Sequence, residues 1–99
     1  YAKEFEVIRM KVPSLDVALA KQVTSFVQAL RDQDLNKTPG LSEAVDWSNA
    51  LRATKATTVD RASVIPTLGC LLKDRRDIKN LKDETLDSLL EKVHNDPRT

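Results

Sequence analysis

The chain has 99 residues, 40% hydrophobic and 31% charged, and its sixteen basic side chains against fifteen acidic ones leave a net charge of +1. That length makes one domain over residues 1–99, able to bury roughly two thirds of its unfolded surface, and the apolar share excludes wholesale disorder. The charge balance argues against a nucleic-acid or membrane-surface binder, which would gather Lys and Arg on one face.

Only two glycines occur, Gly40 and Gly69, with no Asn-Gly or Asp-Gly pair and almost no alternation of β-branched residues. Strands joined by tight turns need both signals, so the reading is all-α, a compact bundle of about five short helices. The first helix is predicted over residues 2–12, with Phe5, Ile8 and Val12 at i, i+3 and i+7 and Pro13 ending it. Ser14 is then placed to cap a second helix, and Asp16 lies favourably near its positive N-terminal end. Leu15, Leu19, Val23, Phe26, Val27 and Leu30 form its apolar stripe, and Lys21, Gln22, Ser25 and Gln28 the opposite polar face.

Residues 33–41 contain Asn36, Thr38, Pro39 and Gly40 and read as a loop. A third helix follows over residues 42–53, capped by Ser42, with Val45 and Leu51 inward and Trp47 at least partly covered. Thr58 or Asp60 caps a fourth helix running to about residue 72, which Pro66 must kink or shorten because proline lacks an amide donor. Residues 73–80 are helical in part. The last helix covers residues 84–93 through Leu86, Leu89, Leu90 and Val93, and residues 94–99 read as a tail.

Chemistry-bearing patterns are sparse. Cys70 is alone and apolar in setting, so no disulfide forms within the chain and a zinc site lacks ligands; a buried thiol in a reducing, cytoplasmic protein is expected. No apolar run approaches the ~20 residues a membrane span needs. There is no phosphate-cradling glycine loop, no Gly-x-Ser-x-Gly elbow and no His-Glu-x-x-His. His94 is the one histidine and reads as a solvated tail residue, so a self-contained catalytic set is not expected.

The stretch "KTPGLSEAVDW", residues 37–47, is the most distinctive. Its local reading is mechanical: Pro39 and Gly40 turn the chain, Ser42 caps, and Glu43 and Asp46 sit where a helix dipole favours negative charge. "KTPGLSEAVDWSNAL" followed by "TLGCLLKDRRDIKNL" also resembles the C-terminal helical lid of MoxR-type AAA+ ATPases. The matching positions are Lys37, Pro39, Gly40, Ser42, Glu43, Ala44, Val45, Asp46 and Trp47. In the second stretch they are Thr67, Leu68, Gly69, Leu71, Leu72 and Lys73, with Asp77 beyond. "AKEFEVIRMKVP" corresponds to the helix entered from the last strand of the ATPase core, and the resemblance spans residues 2–81.

The resemblance implies a lid fragment of a longer protein, closing over ATP and magnesium held by a core in the same chain and binding neither alone. It implies neighbouring subunits in a ring of six and a partner with a von Willebrand factor A domain, in chaperone-like remodelling. Pro39, Gly40, Ser42, Glu43, Asp46 and Trp47 become the nucleotide-proximal or lid-motif candidates. Many such lids open their third helix with a phosphate-sensing arginine, but here Glu43 stands there, so that role passes to no residue.

Lys73, Arg75, Arg76, Lys79 and Lys82 alternate with Asp74, Asp77 and Asp83. Such mixing reads first as a solvated face with i, i+4 pairs. Under the resemblance, Lys73, Arg75, Arg76 and Asp77 are subunit-interface candidates. The competing class is a free-standing helical adaptor that captures a protein partner, and a small nucleic-acid binder ranks third.

Overall fold

Residues 1–81 and 83–99 are described by the computed structural model. They form α1 (Ala2–Lys11), α2 (Val17–Arg31), α3 (Leu41–Ala53), α4 (Arg61–Thr67), a 3-10 turn (Leu68–Cys70), α5 (Arg75–Asn80) and α6 (Asp83–Asn95), with no strand among the described residues. The all-α expectation holds. The count rises to six because residues 75–80 make a helix of their own.

Helix α2 is the axis of the bundle, with α6, α1 and α3 packed around it. Its stripe from Leu19 to Leu30 is buried as expected, and α6 buries Leu86, Leu89, Leu90 and Val93. Each such side chain taken out of water contributes roughly 1.5–3 kcal/mol. Ile8 of α1, Trp47 and Leu51 of α3, and Leu71 and Leu72 beyond the 3-10 turn complete one core. No helix among the described residues is long and apolar enough to cross a membrane.

The helix starts and ends depart from expectation in instructive ways. Asp16, not Ser14, caps α2, because its carboxylate accepts from the Leu19 amide at 3.3 Å. Asp60 wins over Thr58 at α4, accepting from the Ser63 amide at 2.9 Å while the Ser63 hydroxyl accepts from the Asp60 amide at 3.0 Å. Helix α4 ends at Thr67, well short of residue 72. Pro66, one residue from its end, cannot donate to the carbonyl four residues back, and the chain tightens into the 3-10 turn. Helix α3 closes on Lys55, the one non-glycine residue with positive φ (59°) among the described residues. The Ala56 amide reaches the Leu51 carbonyl and the Lys55 amide the Arg52 carbonyl, both at 3.0 Å. That is the Schellman pairing, with a lysine where glycine is usual.

The polar face of α2 is not a solvent face. Gln22 accepts from the Thr58 hydroxyl (2.9 Å) and the Val59 amide (2.7 Å), and Gln28 donates to Glu4 at 2.7 Å. Ser25, 5% exposed, donates to Asp96 at 2.9 Å. These three residues of the polar face each fasten a different segment onto the central helix. The tail is fastened too: Arg98 lies 4.1 Å over the Tyr1 ring, and the Thr99 hydroxyl donates to the Val93 carbonyl at 2.7 Å. The ring of His94 meets the Val59 carbonyl at 2.8 Å, so it is bonded to the bundle.

Candidate functional site

The first motif stretch is held from behind by Arg31. Its Nε donates to the Pro39 carbonyl at 2.9 Å, while Nη1 and Nη2 take the two oxygens of Glu4 at 2.7 and 2.6 Å. One guanidinium thus joins α1, α2 and the loop. Burial pushes the Glu4 carboxyl up, but the hydrogen bonds from Arg31 and Gln28 outweigh it and leave it below its ordinary range. Nothing local in the sequence announces Glu4 or Arg31, whose partners lie 27 and 8 residues away.

Pro39 is therefore buried and Gly40 exposed and extended (φ −94°), which places Gly40 at the cap of α3. Ser42 falls inside the helix as its second residue, exposed to solvent, and is not the cap. Glu43 supplies the side-chain half of the capping instead, its Oε1 accepting from the Gly40 amide at 2.8 Å. Asp46 is exposed. Trp47 is completely buried, tilted against Phe26 with ring centroids 5.2 Å apart, and its Nε1 donates to the Thr67 hydroxyl at 2.8 Å. That hydroxyl donates in turn to the Ser63 carbonyl at 2.7 Å.

Thr67 opens the second motif stretch, so the two stretches meet side chain to side chain in the core. They meet again at Asp77. This carboxylate is 2% exposed and accepts from the backbone amides of Asn36 (2.8 Å) and Lys37 (2.9 Å), the start of the first stretch. Asp77 consequently leaves the mixed-charge face on which it was expected. Its three charged neighbours Lys73, Arg75 and Arg76 do lie exposed, while Lys82 falls outside the described residues. Asp74 caps α5 by accepting from the Arg76 amide at 2.8 Å, and the Arg76 guanidinium beside it holds its carboxyl low.

Two adjoining hollows of about 340 Å³ each open beside the first turn of α3. One is lined by Val7, Lys11, Leu41, Ser42, Val45 and Asp46, the other by Lys3, Glu4, Val7, Arg31 and Leu41. Their shared floor is apolar, and Leu41 is 41% exposed there. Ser42 and Asp46 sit on one flank and Lys3 and Lys11 on the other, an arrangement suited to receiving apolar side chains between opposite charges. The Glu43 carboxylate, nearest the helix start, is engaged as the cap, and Asp46 lines the hollow. Among the described residues no three His, Cys, Asp or Glu side chains gather as metal ligands, and every buried side-chain N or O has a hydrogen-bond partner.

The fold and site together define an all-α bundle whose distinctive residues lock two sequence stretches onto each other beside an open apolar hollow. No family model, curated protein or solved structure matches the chain.

Proposed function

We propose that the chain is the helical lid of a MoxR-like AAA+ ATPase. The observation that carries this reading is the seam: the two stretches that resemble the family's lid pack as one unit through Trp47–Thr67 and through Asp77 with Asn36 and Lys37. The first stretch also leaves Leu41, Ser42 and Asp46 facing outward around the hollows, where a nucleotide-binding core would be covered. On this reading the core of the same chain holds ATP and magnesium, and the lid carries nucleotide state between subunits of a ring of six. The parent would be cytoplasmic, chaperone-like, and partnered by a von Willebrand factor A domain protein. Glu43 acts as a helix cap, so charge sensing on the phosphates falls to residues of the core or of a neighbouring subunit.

The test is to read the coding sequence ahead of Tyr1. A Gly-x-x-x-x-Gly-Lys-[Ser/Thr] loop followed by an acidic strand is expected. A start codon beside Tyr1 with no such core overturns the lid and leaves a helical adaptor.

A further inference from the structure

The run that begins at Lys73 mixes acids and bases in sequence but not in space. Asp77 is turned inward onto loop amides. Asp74 serves the α5 cap and the Arg76 guanidinium, whose Nη2 lies 2.9 Å from it. Among the described residues, Lys73, Arg75 and Lys79 form no ion pair, and Lys73 reaches only the Gly69 carbonyl at 3.5 Å. Arg75 and Lys79 are four residues apart, so they share the outward side of α5. Folding turns the acids of a run that is already net basic inward or onto a neighbouring arginine, and so leaves a cationic edge.

Arg75 adds an independent sign. It is the first residue of α5, where the helix dipole disfavours positive charge, and no carboxylate compensates it as Asp74 compensates Arg76. Arg75 is thus an exposed cation with no counter-charge of its own among the described residues.

We propose that this edge docks an acidic segment of a partner protein. The occupant is short and polypeptide in nature. The six residues of α5 span about 9 Å, and Asp34 lies beside Asn80 at the far end of the helix. Any polyanion continuing past the edge would meet that acid, so the acidic stretch is short, and a chain that carries only +1 has no wider basic face to follow a nucleic-acid backbone. The proposal uses this chain's own charges and does not depend on the lid reading.

Its test uses the chain itself, without nucleotide. The isotope-labelled protein is titrated at low salt with an oligoglutamate peptide while backbone amide shifts are followed. Shifts confined to residues 73–79 and abolished by salt are expected. R75E/K79E should weaken binding about tenfold or more with little change in the melting curve, since Glu at 75 suits the first turn of α5 and offsets the loss of a base from its last turn at 79. R52E/K92E, the same charge change on the exposed faces of α3 and α6, should bind as wild type. If R75E/K79E fails to melt cooperatively, R75Q/K79Q is read in its place. Shifts elsewhere or none at all overturn the proposal, as does equal weakening by both charge-reversal variants. Tighter binding of a charge-matched oligothymidylate at the same edge also overturns it, in favour of nucleic acid.

Discussion

The seam between the two motif stretches and the clasp between the chain's two ends use the same materials. Each joins distant segments through an aromatic ring, a carboxylate and backbone amides. At the seam, Trp47 is fully buried and Asp77 is 2% exposed, and their bonds form where water cannot compete. At the clasp, Asp96 pairs with an Arg98 that is 54% exposed, over a Tyr1 that is itself partly open. Contacts alike on paper differ in worth because an exposed pair exchanges one solvated state for another, whereas breaking a buried one strands its partners. Between the two lies the Glu4–Arg31 staple, with side chains 9% and 27% exposed. The gradient predicts an order of effects.

The largest belongs to Trp47. Trp47→Ala leaves a cavity against Phe26 and removes the donor to Thr67, and should cost about 3–5 kcal/mol in urea unfolding followed by circular dichroism. Trp47→Phe keeps most of the ring and loses the hydrogen bond, for about 1–2 kcal/mol. A Trp47→Ala variant as stable as wild type would erase the distinction between seam and clasp.

Asp77 comes second. Asp77→Ala unpairs the Asn36 and Lys37 amides and should cost about 2 kcal/mol. Hydrogen exchange would localise the loss: those two amides should lose protection while α2 and α6 keep theirs. Uniform loss across the bundle would mean that Asp77 supports the core generally and not the loop.

These two residues also show what could be read ahead of the structure. Trp47 was legible as a covered anchor because a lone tryptophan at helical spacing with Leu51 has few other fates. Asp77 was not: an acid among bases on a short helix has the same pattern whether it meets water or amides 40 residues away. The same holds for Gln22, Ser25 and Gln28, whose period on α2 says polar and whose partners lie in three separate segments. Ser42 failed as a cap for a related reason. Arg31 fixes the Pro39 carbonyl and so sets Gly40, not Ser42, where the helix begins. Local periodicity located most of the helices, and long-range polar partners decided their ends and the character of the site.

The Glu4–Arg31 staple supplies the intermediate case and a pH dependence. Because the folded carboxyl sits below its ordinary range, the folded state releases that proton more readily than the unfolded chain. The staple therefore stabilises above the unfolded value of about 4.3 and loses its contribution as pH falls through the folded one. Glu4→Gln should cost about 1 kcal/mol near neutrality, discounted for the open side of Arg31. The gap from wild type should close in acid. A gap that stays constant from pH 7 to pH 3 would mean that packing of the side chain, not its charge, holds α1 to α2.

The smallest effect on stability is expected at the clasp, where a spectroscopic readout replaces a melting curve. Arg98→Ala removes a cation that lies 4.1 Å over the Tyr1 ring and pairs with Asp96. The urea midpoint should not move measurably, since exposed pairs gain little against the ordering of two long side chains. The phenol should nonetheless respond. Burial raises the Tyr1 hydroxyl first and the Asp96 carboxylate raises it further, while Arg98 opposes both. Taking Arg98 away leaves Asp96 uncompensated beside the phenol, so ionisation should shift to still higher pH. Tyr1 is the only tyrosine, and alkaline titration of phenolate absorbance reports it without interference from another. A downward or absent shift with an unchanged midpoint would mean that the clasp is open in solution. A lowered midpoint would place the chain ends among the contacts that hold the bundle, on the same footing as the seam.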